Sequence, residues 1–117
     1  MRPEHLYLSE MCEAIDDIAE FVDECDLEAF LADKQLRYAV VFALQTLGEA
    51  AGRLPEPLRE RHSEIPWQEM IGQRNVIAHG YFALRWEDIW ETAIHDVPSL
   101  RNPIISIRDQ LFEDDDL

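Results

Sequence analysis

Strand signals, metal-ligand spacings and long apolar runs are all missing from this chain of 117 residues. No stretch alternates apolar and polar residues over the length of a strand, and no Asn-Gly, Asp-Gly or Gly-Gly hairpin dipeptide occurs, which argues against a β domain. His-x-x-x-His and Cys-x-x-Cys are absent, so the common zinc spacings are excluded. A Gly-rich phosphate loop and a nucleophilic Ser or Cys elbow are missing too. The two cysteines, Cys12 and Cys25, are too few for a disulfide framework and fit free thiols in a reducing compartment. No apolar run approaches membrane-spanning length, and the acids scattered through residues 1–25 do not fit a signal peptide. The expectation is a soluble cytoplasmic protein with no membrane partner. Positive charge is scarce: 10 Lys and Arg stand against 25 Asp and Glu, for a net charge of -15 and a pI near 4.4. That balance disfavours broad non-specific binding to nucleic acid and leaves room only for a small, locally basic site.

What is present is helical periodicity. At 117 residues and 47% hydrophobic composition, one domain with a single core is expected. Leu8, Met11, Ile15, Ile18 and Val22 make one stripe, predicting a first helix over about residues 4–25. Residues 27–31 read as a short link of one helical turn. Leu36, Val40, Ala43, Leu47, Ala50 and Leu54 make a second stripe, with Asp33 as its N-cap and Pro55 and Pro57 as its end. Pro66 fits the first turn of a third helix that stops near Gly80. Trp86, Ile89, Trp90, Ala93, Ile94 and Val97 predict a fourth helix that Pro98 interrupts, and Pro103 can open a last one through Leu111. The fold class is therefore all-α, an antiparallel bundle of about five helices. The single domain spans residues 1–112, and the acidic tail, 113–117, is expected to fray.

The chemistry concentrates in residues 74–81, Arg-Asn-Val-Ile-Ala-His-Gly-Tyr. On a helix turning about 100° per residue, Trp67, Met70, Ile71, Ile77 and Ala78 form an apolar stripe, and Arg74 falls in its middle. A charge there is either a paired ion or faces a cleft or subunit interface. Asn75 and His79, spaced i, i+4, share the border of that stripe. Cleavage of RNA without metal needs a group to take the 2′-OH proton, one to protonate the leaving 5′-oxygen, and a charge to neutralise the phosphorane. A histidine serves either proton role, and an arginine offers a fork that matches phosphate oxygens. Asn75 can hold the phosphate or orient His79, and Tyr81 can position the scissile group. In the competing structural reading, Arg74 pairs with Glu49 in the small-residue stretch 48–52, His79 caps its own helix end, and Tyr81 packs on Trp86.

Three segments carry a family resemblance: Ile65-Pro66-Trp67, Ile71-Gly72-Gln73-Arg74-Asn75 and His79-Gly80-Tyr81-Phe82. With Asp33, the run Leu47-Gly48-Glu49-Ala50-Ala51, Trp90 and the run 96–100, this chain resembles the HepT-like members of the HEPN superfamily over nearly its whole length. The resemblance implies an all-helical homodimer whose motifs line one cleft. It implies a metal-independent endoribonuclease, without cofactor, acting as the toxin of a toxin–antitoxin pair. The partner it implies is a minimal nucleotidyltransferase antitoxin that transfers AMP to the motif tyrosine. Carried onto this chain, Arg74 and His79 are catalytic, Asn75 and Tyr81 position the RNA substrate, Tyr81 is the AMPylated residue, and Glu49 is a supporting polar residue. The alternative reading is a non-catalytic accessory subunit of a nucleotidyltransferase, binding a nucleotide or substrate through the same residues.

Overall fold

The structure, a computed structural model, describes residues 3–115, with side chains through residue 113. Helix α1 (Pro3–Val22) buries Leu8, Met11, Ile15 and Ile18 along one stripe, as its spacing predicts. It ends earlier than its periodicity suggests. Glu24 takes a left-handed conformation at φ 57°, and Asp23, Glu24 and Asp26 would crowd negative charge onto a helix C-terminus. Asp26 instead caps a new helix, α2 (Leu27–Ala32), accepting from the Ala29 amide at 2.8 Å. Asp33 caps α3 (Lys34–Arg53) by accepting from Leu36 N at 3.0 Å. Pro55 and Pro57 do end α3, yet Pro57 also sits where its missing N–H costs nothing, in the first turn of the short α4 (Glu56–Arg61).

Helix α5 (Trp67–His79) carries the motif. Trp67 anchors its start: the indole N–H donates to the carbonyls of Arg59 and His62, at 3.1 and 3.0 Å. A single 3₁₀ turn (Tyr81–Ala83) follows. Helices α6 (Trp86–Glu91) and α7 (Val97–Asp115) are joined through a π turn over Thr92–Asp96. Val97 N donates to Thr92 O, five residues back, and the next residue, Pro98, has no amide to extend that ladder. The expected interruption at Pro98 is thus a change of helical pitch, not a break. Pro103 likewise lies inside α7 rather than opening a helix. The flanking Leu100, Ile104, Ile107 and Leu111 are all buried, and burial on that scale outweighs the roughly 3 kcal/mol cost of an interior proline. The tail expected to fray continues α7 to Asp115, while residues 116 and 117 lie outside the described ones.

The bundle is antiparallel. Helix α1 packs between α3 and α7, and α5 packs on the other side of α3. Opposed directions show in the pairs His5–Phe112 and Asp16–Arg101 between α1 and α7, and Gly48–Arg74 and Tyr38–Tyr81 between α3 and α5. Phe30 from α2 closes the core against Trp90. Among the described residues no helix is long and apolar enough to cross a membrane. Both cysteines are free thiols, Cys12 buried and Cys25 partly so.

Candidate active site

The site is built where α5 crosses the small-residue stretch of α3. Gly48 makes the crossing possible: a Cβ there would sit 2.4 Å from Arg74 Cβ and 2.6 Å from the Met70 carbonyl oxygen. Gly52, one turn on, has only ordinary contact with Ile71. The close approach brings the Arg74 guanidinium against Glu49, with Nε donating to Oε2 at 2.7 Å. Glu49 also lies 3.6 Å from Arg53 on its own helix. A second Arg74 nitrogen, Nη1, donates to Asn75 Oδ1 at 2.9 Å. Three of the predicted site residues, Arg74, Asn75 and Glu49, are therefore one hydrogen-bonded group. It is not sealed: the Arg74 and Glu49 side chains remain 30% and 38% exposed.

The apolar stripe of α5 is narrower than its sequence suggests. Trp67, Met70 and Ile77 are buried, Ile71 is half-buried, and Ala78 is exposed. Arg74 lies between Met70 and Trp67 on that stripe with its Cβ against Gly48, and its long side chain carries the guanidinium out to Glu49 and solvent. His79 is the last residue of α5, exposed, and turned about 140° around the axis from Arg74. Among the described residues its imidazole makes no side-chain hydrogen bond or ion pair, so it is not tied to its own helix end. Among the described residues no side-chain hydrogen bond joins Arg74 to His79, while Asn75, which Arg74 does reach, lies one turn before His79 on the same face. Gly80 follows at φ -135°, so the helix stops without a left-handed residue, and Gly80 N closes the last turn onto Val76 O at 2.7 Å.

Tyr81 leaves the helix for an aromatic group. Its ring stands edge-on to Tyr38, at 6.2 Å between centroids, and to Trp86, at 6.1 Å. The pairing with Trp86 was legible in the sequence; the one with Tyr38 was not, because nothing local links α3's first turns to the residues after α5. Partial burial, followed by hydrogen bonding with Tyr38, pushes the Tyr81 phenol above its ordinary value of 10.0, against a smaller lowering by the Arg37 charge. A cavity of about 380 Å³ opens beside the ring, lined by Tyr38, Val41, Phe42, Gln45, Ile77 and Tyr81. Among the described residues, no group of three or more His, Cys, Asp or Glu is placed to hold a metal ion.

The arrangement suits a charged phosphate ligand: an oriented guanidinium, an open imidazole and a phenol along 8 residues. Residues 11–107 match the family described as ribonuclease HepT-like. A probable ribonuclease HepT of Thermococcus cleftensis is 39% identical over 102 residues, covering 87% of this chain and 93% of that protein. A protein of Methanocaldococcus jannaschii named as a candidate RNase is 33% identical, with 92% of each chain covered. Another so named, from Caldanaerobacter subterraneus subsp. tengcongensis, is 34% identical over 92% of this chain and 96% of its own length. No solved structure matches the chain significantly. The chain belongs to the HepT-like ribonucleases, the HEPN type of RNase, and the resemblance read from its motifs holds.

Proposed function

We propose that this ribonuclease is a metal-independent endoribonuclease toxin that cuts RNA with Arg74 and His79 in a cleft shared by two copies of the chain. The observation that carries this reading is the Arg74–Glu49–Asn75 group. A guanidinium held by a 2.7 Å bond on one side, yet open to solvent on another, is oriented for an incoming phosphate without being consumed by its partner. His79, exposed at the end of the same helix, is free to exchange protons.

The chemistry balances with two histidines. One His79 takes the proton from the 2′-OH as that oxygen bonds to phosphorus. The His79 of a second copy gives a proton to the 5′-oxygen as its bond to phosphorus breaks. The products are a 2′,3′-cyclic phosphate and a 5′-OH end, and Arg74 offsets the charge of the phosphorane between them. A symmetric dimer offers a direct way to bring the two histidines that the chemistry needs, and an arginine of either copy, into one cleft. The exposed apolar side chains beside the motif, Phe42 at 72% and Phe82 at 102%, support such an interface. Asn75 holds Arg74 or the phosphate, and Tyr81 positions the strand. AMP transferred to Tyr81 by a minimal nucleotidyltransferase antitoxin silences the toxin, because the added phosphate and bulk occupy the place of the substrate.

The test is purified chain, free of antitoxin, incubated with RNA in EDTA. Cutting that leaves cyclic phosphate ends and disappears in Arg74→Ala and His79→Ala supports the reading; cutting that survives His79→Ala removes the proton-transfer role. One observation favours a purely structural second reading: the Arg74–Glu49 bridge joins α3 to α5. In that case Arg74→Met alters stability and leaves RNA cutting untouched.

A further inference from the structure

The 10 basic residues of this acidic chain do not all find carboxylates. Arg53, Arg74, Arg85, Arg101 and Arg108 each lie 2.7 to 3.7 Å from one. Among the described residues Lys34 and Arg37 make no ion pair. Arg59 and Arg61 also lack one, but they belong to α4, beyond the other end of α3. Lys34 and Arg37 are held instead by rings. The Lys34 ammonium stands 5.6 Å from the centre of Tyr38, and the Arg37 guanidinium 5.2 Å from that of Trp86. Arg37 Nη1 donates to the Leu31 carbonyl, and its buried Nε has no hydrogen-bond partner among the described residues. Asp33 caps α3, and Asp88 lies 3.7 Å from Arg85.

In a chain with 25 acids, two adjacent cations stacked on aromatic faces form a local exception in charge. The rings they stack on are the ones that touch Tyr81. Tyr38, 46% exposed, and Tyr81, 37% exposed, also bound the cavity of about 380 Å³. Cationic groups beside partly exposed rings such as Tyr38 and Tyr81 are what a protein needs to hold a single nucleic-acid strand, the cations taking phosphates and the exposed rings taking bases. We infer that Lys34, Arg37, Tyr38 and Trp86, with Tyr81, form a subsite for a nucleotide of single-stranded RNA, outside the Arg74–His79 centre. This rests on the ribonuclease reading and deepens it. Positions 38 and 49 are about 16 Å apart along α3, so the subsite holds the strand at a distance from the phosphate that Arg74 meets. It also answers the problem that net charge poses for RNA binding. Attraction is concentrated at Lys34 and Arg37, two of the cations with no ion pair among the described residues, and the acidic remainder repels RNA elsewhere.

The test is fluorescence anisotropy with a short, labelled, mixed-sequence single-stranded RNA. All proteins are the full chain carrying His79→Ala, so that the strand stays intact, and circular dichroism checks their helicity. Lys34→Gln with Arg37→Gln weakens binding about tenfold and lowers the salt slope by about 1.4, since two phosphates are no longer neutralised and each accounts for about 0.7. Lys34→Gln alone, on an exposed residue where folding is not at stake, lowers the slope by about 0.7. Tyr38→Ala weakens binding about tenfold, whereas Tyr38→Phe, which keeps the ring, binds as the parent does. If the parent binds RNA and all of these variants match it in affinity and slope, the subsite is refuted while the ribonuclease reading stands. If the parent binds no RNA at low salt, both fall. Duplex RNA of the same sequence bound as tightly as the single strand refutes base stacking on Tyr38.

Discussion

Gly48 and Arg74 stand so close across the α3–α5 crossing that a methyl group on Gly48 would overlap Arg74 Cβ, at 2.4 Å. The second near atom is the backbone oxygen of Met70, at 2.6 Å, which cannot swing away as a side-chain tip would. The catalytic arginine proposed here is therefore positioned by an absent side chain as much as by its carboxylate partner.

Gly48→Ala is expected to destabilise the fold by about 1–3 kcal/mol through overpacking and to lower RNA cutting by shifting Arg74. Urea unfolding and a cleavage assay on the same samples check both effects. Gly52→Ala, which meets only ordinary contacts, serves as the control and keeps near-parent stability. A Gly48→Ala protein as stable as the parent would contradict the crossing distance.

Removing the carboxylate separates orientation from stability. Because the Arg74–Glu49 pair is partly exposed, Glu49→Ala costs only about 0.5–1 kcal/mol. Its cutting rate nevertheless falls roughly ten- to a hundredfold, since the guanidinium loses its bearing on the phosphate. Unchanged cutting in Glu49→Ala would leave the bridge a structural tie between helices.

Truncation of the reacting groups has larger effects. Arg74→Ala is expected to lower kcat about 10²–10³-fold, and His79→Ala about 10²–10⁴-fold. His79 is exposed, so thermal stability in that variant stays near the parent value. If cutting needs a His79 from each copy in one cleft, an excess of His79→Ala chain mixed into the parent suppresses cutting, because each mixed dimer then lacks one of the two histidines. Parent activity unmoved by that excess, with mixed dimers seen by native mass, would count against the shared cleft.

Tyr81 offers a pH signature. Its phenol is pushed above 10.0 by partial burial and by hydrogen bonding with Tyr38. The folded chain thus holds that proton more tightly than the unfolded chain does. The contribution to stability is complete below about pH 10 and is lost as pH rises through the folded value. An ultraviolet difference titration of the parent against Tyr81→Phe should show a phenol ionising above pH 10, and Tyr38→Phe should lower it only in part, because burial is the larger cause. A Tyr81 midpoint at or below 10 would contradict the packing described.

Regulation is tested by mass. Expression with a cognate nucleotidyltransferase should add one or more AMP units to the parent chain and none to Tyr81→Phe. Modified protein should fail to cut RNA. Equal gains in parent and Tyr81→Phe would place the modification on another residue.

Local signals were read well where one short contact decides the outcome. Asp33 as a cap, Pro66 at the start of α5 and Gly80 at its end needed nothing beyond neighbouring residues. The prolines of the last helix misled, because proline's local cost was weighed without the burial of Leu100, Ile104, Ile107 and Leu111 that overcomes it. Helix α4 was missed for a related reason: Pro57 reads equally as a stop and as a first-turn residue. At the site, the Arg74–Glu49 pairing was legible as the structural alternative, because a charge in an apolar stripe demands a partner and the 48–52 stretch offered one.

By itself the amino-acid order determined that the chain is helical, where most helices begin, and that residues 74–81 resemble a HepT-like motif, since periodicity, caps and short motifs are local properties. Only the packing of other elements against α3 decided that Arg74 leans on Glu49, that Arg37 rests on Trp86 and that Tyr38 meets Tyr81. Those partners lie far apart along the chain, and no local propensity specifies which side chains meet across a helix crossing.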